Sequence, residues 1–354
     1  MVDIDNIGCR GRRSRHLPKH GSCSTDLMRH LQAILFLFVF LGTNGFEAMS
    51  AQEILSVNFV GTGGPEITLG REGIATVVRT SEKIYLFDVG RNAMQNIFEA
   101  GIDPREIDVI FLTHLHNDHI EGLPTLWMTG WFLLGRERPL EVYGPPGTQA
   151  MIDGMYAMYQ FDVEHRANAF NDPTHLKVQV TEWSEDEVRS DYGAVQVTAF
   201  RVEHEDGDPA YGYLIADPTR SVLLSGDTRL CPSLIKYGKG VDVIVSNILA
   251  MPEALAQKPE MQGVVAKLMT IPEAVELFQA TQPRLAVYTH FVVNDIPQGT
   301  ADHYITETTR ELGYLNELFL AKDGWSVAFP DLHSISPPPA APLKDLNRKK
   351  SYQN

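Results

Sequence analysis

Cysteine is scarce in this chain of 354 residues, which contains three of them. Cys9 and Cys23 lie close to the N-terminus, and only Cys231 remains beyond residue 51. An intramolecular disulfide is therefore excluded in that larger part, and so are zinc sites built from cysteine. Any metal site there must use histidine and carboxylate side chains.

Long apolar runs are also rare, and the run at residues 33–41 is too short to span a bilayer. A basic segment precedes it at 28–30, and the small residues typical of a cleavage site follow at 48–51. This pattern predicts a signal peptide at about 28–51 within an N-terminal extension of residues 1–51. We therefore expect a secreted or periplasmic protein with no stable membrane anchor after cleavage; an uncleaved anchor is the alternative.

Basic residues are fewer than acidic ones, because 30 Lys and Arg face 45 Asp and Glu and give a formal net charge of −15. An acidic surface repels a polyanion, which makes nucleic acid an unlikely partner. The 44% apolar content is sufficient for a large core. We predict one domain at 52–333, and a proline-containing disordered tail at 334–354.

Short apolar strand patterns alternate with helical spacings in both halves of the domain. Strands are predicted at 54–60, 73–79, 83–87, 109–112, 140–143, 178–181, 195–202, 211–215, 221–224, 241–245 and 285–288. Helices are predicted at 92–100, 148–159, 233–236 and 272–280, with an irregular connection at 162–176. Two β-rich halves with helices outside predict an α/β fold, a four-layer αββα sandwich.

Three histidines and an aspartate follow the buried strand at 109–112 within six residues, in the sequence Thr113-His-Leu-His-Asn-Asp-His119. Such a cluster is dense for a solvated loop, although a lone histidine is usually structural. Imidazole and carboxylate suit Zn²⁺, with Mn²⁺ or Fe²⁺ possible. His114 and His116 can point to one ion, while Asp118 and His119 face an adjacent one.

This motif after a strand resembles the signature of the metallo-β-lactamase superfamily, and the resemblance extends from about residue 54 to 329. It implies a further histidine, a bridging aspartate and a last histidine, each after a strand. His204, Asp227 and His290 match these positions with similar neighbours. The resemblance thus implies two Zn²⁺ ions, with Asp118 both a ligand and the catalytic group that orients or deprotonates the nucleophilic water.

Several short sequences are similar to the ribonuclease Z and arylsulfatase-like branch: GTGGP, FDVG, THLHNDHIEGLP, VYGPPGT and SGDTR. In ribonuclease Z the glutamate of a His-Glu pair and a further histidine form a relay that protonates the leaving group. Ser246-Asn247 and either Leu268 or Met269 stand at these positions here. The arm that ribonuclease Z uses to grip tRNA is also missing between Tyr213 and Gly226.

Without a proton donor the site should favour leaving groups that depart unprotonated, such as phenolates. The preferred hypothesis is therefore a binuclear metal-dependent hydrolase of small-molecule esters, arylsulfatase-like or a phosphodiesterase. The alternative is a ribonuclease Z-like 3′-tRNA processing endoribonuclease. A β-lactamase or lactonase, or a metal-free non-catalytic homologue, has less support. A homodimer is possible, as in other family members.

Aromatic and basic residues near the motifs are candidates for substrate binding. Trp127, Trp131 and Phe132 follow the metal loop closely and could stack on an aryl group, although helix packing in the core is the preferred explanation. Arg71 follows the GTGGP loop and could bind an anionic ester, or form a surface ion pair instead.

Overall fold

Two mixed β-sheets form the centre of the computed structural model, which describes residues 54–297 and 299–340. The predicted signal peptide and N-terminal extension lie outside the described residues. The first sheet has the order β15-β14-β1-β2-β3-β4-β5-β6. Its strands are β1 Ile54–Gly61, β2 Ala75–Thr80, β3 Ile84–Phe87, β4 Ile107–Phe111, β5 Leu140–Gly144, β6 Val178–Glu182, β14 Trp325–Ala328 and β15 Ile335–Ser336.

The second sheet follows the order β13-β12-β11-β10-β9-β8-β7. Its strands are β7 Glu187–Tyr192, β8 Val195–Val202, β9 Ala210–Ala216, β10 Ser221–Leu224, β11 Val243–Ala250, β12 Leu285–Val293 and β13 Leu318–Leu320. In the first sheet β3 to β6 run parallel, and in the second β10 to β13 do. The two halves therefore share one pattern, an antiparallel part joined to a parallel part.

The helices lie between and after these strands. They are α1 Ala93–Glu99, α2 Asn117–Ile120, α3 Leu123–Phe132, α4 Thr148–Arg166, α5 Pro232–Gly238, α6 Glu253–Ala256, α7 Gln262–Val265, α8 Ile271–Thr281 and α9 Ala301–Glu311. Short 3-10 segments occur at Pro104–Glu106, Pro173–Leu176, Glu205–Gly207 and Pro259–Met261. Within the described ranges, none of the helices combines the length and the apolar character that crossing a membrane requires.

The two sheets pack face to face, and their inner faces form one apolar core that includes Phe59, Phe111, Tyr213 and Val287. The outer face of the first sheet packs against α1, α3 and α4, and that of the second against α5 and α8. Strands with both faces covered need near-continuous apolar sequences, which is what the chain supplies. The predicted four-layer αββα sandwich is thereby confirmed.

Two segments differ from the sequence-based expectations. Helix α4 continues to Arg166, into the connection predicted to be irregular, because polar side chains one turn apart support its last turns. Asp162 Oδ1 and Arg166 Nε are 2.6 Å apart, for example. Near the C-terminus, Ile335 pairs with Val327, so ordered pairing continues beyond the predicted domain end at residue 333.

Candidate metal centre

The parallel strands β3 and β4 position the HxHxDH motif. Strand β3 leads into Asp88, and β4 ends just before Thr113. Oδ1 of Asp88 accepts a hydrogen bond from the backbone N–H of Thr113 at 2.8 Å, which joins the two strand ends. His114 and His116 follow in extended backbone, and the short helix α2 then carries Asp118 and His119 inward, where both are buried.

The second sheet supplies the other three side chains, two of them after β8 and β10 and one within β12. His204 directly precedes the 3-10 segment Glu205–Gly207, and Asp227 lies in the turn after β10. His290 lies inside β12, at a bulge where Thr289 pairs with Asn247 and Phe291 with Ile248. Its φ of 44° is in the left-handed region, so the bulge turns this side chain out of the ladder.

One group of three imidazoles forms the first part of the centre, which we call the histidine trio: His114, His116 and His204. Nε2 of His114 lies 2.9 Å from Nδ1 of His116, and Nε2 of His204 lies 3.2 Å from the same atom. His114 and His204 are buried, while His116 is half-buried. Three nitrogens this close together are better suited to binding one shared cation than to hydrogen-bonding with one another.

A second group contains both carboxylates. Nε2 of His290 lies 3.2 Å from Oδ2 of Asp118 and 3.2 Å from Oδ2 of Asp227. Nε2 of His119 lies 3.6 Å and 3.5 Å from the same two oxygens. Asp227 also lies within ligand distance of His114, so its carboxylate stands between the two groups and could bridge two ions. The structure thus brings together all seven side chains that the sequence selected.

The hydrogen bonds around the imidazoles fix which nitrogen faces the centre. Nδ1 of His204 lies 2.8 Å from the carbonyl oxygen of Lys267, and Nδ1 of His119 lies 2.8 Å from Oδ2 of Asp88. Because a carbonyl and a carboxylate accept hydrogen bonds, each Nδ1 carries a proton and each Nε2 faces the centre, where it would present its lone pair to a bound cation. Nε2 of His119 is buried and finds no hydrogen-bond partner in the described part of the chain, as expected of a metal-ligating nitrogen.

The pKa shifts fit a site for cations. Burial lowers the pKa of His114 well below its usual value, and burial also lowers the pKa of His204, so both rings are neutral ligands at pH 7. Burial would raise the pKa of Asp227, but the neighbouring His290 and His119 outweigh it and hold that pKa well below its usual value. The donor set, neutral imidazoles and ionised carboxylates, therefore suits a divalent metal.

The neighbouring carboxylates shift the pKa values of His119 and His290 upward. Burial opposes their charged forms, yet Asp88 and Asp227 raise the pKa of His119 well above its usual value. Asp227 and Asp118 likewise raise the pKa of His290. Protons on these two rings neutralise the carboxylate pair, and a divalent cation bound here would compete with them.

The tryptophans suggested as pocket wall lie in the core. Trp127 and Trp131 are each 2% exposed on the inner face of α3. Their indole N–H groups donate to the carbonyl oxygens of Leu176 and Asp172, at 2.7 and 2.9 Å. Residues four apart on a helix share a face, and here that face packs on the first sheet. Neither ring is available to stack on a substrate, so they belong to helix packing.

Arg71 is also committed to structure. Its Nη1 donates to the carbonyl oxygen of Ala321 at 2.7 Å, and its Nη2 donates to Oδ1 of Asp302 at 2.8 Å. The guanidinium carbon lies 3.5 Å from the ring centroid of Phe291, which neighbours the ligand-position residue His290. Through these contacts the guanidinium joins the loop after β1 to β12. It is therefore not presented to an anion.

Apolar packing occupies the positions of the missing proton relay. Leu268 is buried in a cluster with Leu249, Met251 and Val292, and Met269 is fully buried. Asn247 is buried as well, with its backbone N–H donating to Oγ of Ser225 at 3.0 Å. These positions carry no group that titrates as an acid.

Sequence reasoning missed the residues that support the ligands. Asp88 was visible only as part of FDVG, yet an aspartate directly after a strand that adjoins the motif strand was the available signal. The contact between the Lys267 carbonyl and His204 joins residues far apart in sequence. It leaves no local pattern by which it could have been found.

Comparison with known proteins identifies the family. The family model described as "Beta-lactamase superfamily domain" matches residues 85–291. Ribonuclease Z of Mycobacterium sp. (strain KMS) is 30% identical over 252 residues, which are 70% of this chain and 88% of that protein. Ribonuclease Z of Mycobacterium marinum is 27% identical over 75% of this chain and 96% of its own length.

Solved structures agree on the fold. The short form of human tRNase Z aligns with a TM-score of 0.57 at 22% identity, covering 78% of this chain and all of that one. A metallo-β-lactamase-fold protein from Bacillus subtilis aligns with a TM-score of 0.59 at 16% identity, with coverage of 78% and 100%. The chain belongs to the metallo-β-lactamase superfamily, among the relatives of ribonuclease Z, and is a metal-dependent hydrolase of that family.

The expectation of a small-molecule ester as partner, with nucleic acid unlikely, is wrong. The relatives that match over most of their length are ribonucleases Z, which are enzymes that act on RNA. The net charge of the chain does not predict its partner, because that sum covers the whole surface. The potential at a metal centre depends on nearby groups and on any bound cations, which are the largest local charges.

Proposed function

We propose that this member of the superfamily is a metal-dependent phosphodiesterase that cleaves RNA, as its ribonuclease Z relatives do. The observation that carries the proposal is the convergence of seven ligand-type side chains from both sheets in a chain homologous to ribonuclease Z along most of its domain. This replaces the arylsulfatase-like hypothesis, which rested on missing residues rather than on residues that are present.

We assign the ligands as two overlapping sets. The histidine trio would hold one ion, and Asp118, His119 and His290 would hold the other, with Asp227 shared between them. Zinc suits this mixture of imidazole and carboxylate, and manganese or iron is the alternative. Two divalent ions bound here would supply Lewis-acid activation of the attacking water and of the phosphoryl oxygens.

Asp118 is the residue we place beside the attacking water. Burial raises its pKa, but the hydrogen bond from His290 and the charge of His119 prevail, so the pKa lies below its usual value. An ionised carboxylate can accept a hydrogen bond from water. We therefore assign Asp118 the role of orienting or deprotonating the attacking water.

The test is a comparison of three substrates with zinc-loaded protein: a precursor tRNA with a 3′ trailer, bis-p-nitrophenyl phosphate and p-nitrophenyl sulfate. We expect cleavage of the RNA and of the phosphodiester, with the sulfate poorest. His116→Ala should abolish every one of these activities, and His165→Ala is its matched control, because His165 is exposed on α4 and bonds its own helix carbonyl. A clear preference for the sulfate would reject the proposal.

The N-terminal extension supports a second, separate proposal about location. The basic, apolar and small-residue pattern at about 28–51 is that of a signal peptide, so we propose a secreted or periplasmic mature protein starting near Gln52. N-terminal sequencing of the protein purified from its native cells tests this. Recovery of a chain that still begins at or before Met28 would contradict it.

A further inference from the structure

Lys267 lies at the rim of the metal centre, on a backbone that is fixed from both sides. Its carbonyl oxygen is bonded to Nδ1 of His204. Leu268 and Met269 directly after it are buried, and the carbonyl of Met269 accepts from the backbone N–H of Leu249 at 2.7 Å. The lysine side chain thus extends from a rigid base beside a ligand-position histidine.

The ammonium of Lys267 forms an ion pair that faces the histidine trio. Nζ lies 2.8 Å from Oδ2 of Asp206, and the other oxygen of Asp206 lies 3.9 Å from Nε2 of His116. One carboxylate therefore separates this positive charge from the outer edge of the trio. The next residue, Gly207, lets the segment lie against the trio, since a Cβ there would overlap the ring of His204.

The ion pair is exposed enough to be exchanged. The Asp206 side chain is 60% exposed and that of Lys267 is 26% exposed. Exposed pairs of this kind add little stability, because water solvates both charges well. An anion that approaches the centre can therefore take the place of the Asp206 carboxylate on the ammonium at little cost. A lysine ammonium suits this exchange, with three donors on a flexible stem.

We propose that Lys267 is a substrate-binding residue whose ammonium contacts a non-bridging oxygen of the scissile phosphate, and that Asp206 holds this ammonium at the rim until the phosphate displaces it. The inference rests on the proposed phosphodiesterase function. It assigns Lys267 as the cationic side chain that binds the phosphoryl group beside the metal centre. Asp206 then competes with the substrate for the ammonium.

The two partners then have opposite effects, which is the basis of the test. With zinc-loaded protein and bis-p-nitrophenyl phosphate as reporter, the inhibition constant of inorganic phosphate is measured for Lys267→Met and Asp206→Asn. Lys267→Met keeps the apolar stem and should raise that constant about fivefold. Asp206→Asn releases the ammonium and should lower it, and Lys267→Arg should restore most of the binding.

A shift of the inhibition constant in the same direction in both variants would overturn the inference. Opposite shifts that vanish at about 1 M salt would also overturn it, because charges that act only from a distance are screened there. So would an unchanged constant in Lys267→Met. Lys258→Met is the matched control, because Lys258 is an exposed lysine of the same segment. Zinc content is measured in every variant, and it should not change, since the carbonyl that supports His204 is retained.

RNA provides the independent readout. If the wild-type protein cleaves precursor tRNA, Lys267→Met should raise KM more than it lowers kcat and should reduce the slope of log(kcat/KM) against log salt by about 1. If the wild-type protein hydrolyses the reporter but cleaves no RNA, the proposed function fails, while the phosphate constants still decide whether Lys267 binds phosphate.

Discussion

Nδ1 of His119 lies 2.8 Å from Oδ2 of Asp88, and both side chains are almost completely buried. The other oxygen of Asp88 accepts the backbone N–H of Thr113, so one carboxylate joins the end of β4 to the ring of His119. The ring is held in one orientation before any ion binds, and its Nε2 is directed at Asp118 and Asp227.

The first prediction concerns this contact. Asp88→Asn should weaken zinc binding about 10- to 100-fold, because the amide is a poorer acceptor for His119 and can present a donor instead. Competition with a chelating dye measures the affinity. Asp108→Asn is the control, since Asp108 also bonds a strand end, at the backbone N–H of Ile84, but lies away from the centre. Equal zinc affinities in wild type and Asp88→Asn would contradict the assigned role.

The second prediction separates the ligands from the core. His116→Ala and Asp118→Ala should abolish hydrolysis while the protein stays folded, because these side chains serve the ions more than the packing. His116 is half-buried, so its loss removes little apolar contact. Activity and thermal melting are measured on the same preparations. Full turnover in either variant would show that the assigned centre is wrong.

The third prediction follows from the placement of Trp131. Trp131→Phe leaves the carbonyl of Asp172 without its indole donor, so the free energy of unfolding should fall by about 1–2 kcal/mol. KM should not change, because the ring is buried. Urea unfolding and steady-state kinetics measure the two quantities, with Trp325→Phe as the control at a half-buried position. A raised KM at unchanged stability would indicate that Trp131 contacts the substrate.

The fourth prediction concerns pH. The pKa values of His119 and His290 are raised, so these rings keep their protons to higher pH than a free histidine does. Zinc must displace those protons, and its affinity should fall as the pH is lowered from about 8 to about 6. Calorimetric titration in buffers of different ionisation enthalpy counts the protons released. Zinc binding without proton release would contradict the raised pKa values.

The sequence predicted the sandwich and the ligand positions because both depend on local patterns. Buried strands appear in the sequence as apolar runs, and a motif that directly follows a predicted strand lies at the end of that strand in the structure. His290 was expected after a strand that ended at Tyr288, whereas it lies at a bulge in a strand that continues to Val293. A bulge depends on the neighbouring strand, and its position is not encoded in the residue types alone.

Long-range contacts account for the remaining differences. Lys267 contacts both Asp206 and His204, which lie about 60 residues earlier in the chain, and no local spacing reveals such contacts. Trp127 and Trp131 were ambiguous because core packing and ligand stacking require the same residue type. Core packing was the preferred explanation, and the hydrogen bonds to the 3-10 segment and its flanking residue agree with it.

The bulge in β12 makes the ligand position of His290 easy to lose by deletion. It is a single extra residue on one strand, and Phe291 already pairs as if His290 were not there. A one-codon deletion at this point would let the ladder close without a gap. The protein would keep its sandwich and lose one corner of its metal centre, so catalytic and inert descendants of this scaffold can lie one deletion apart.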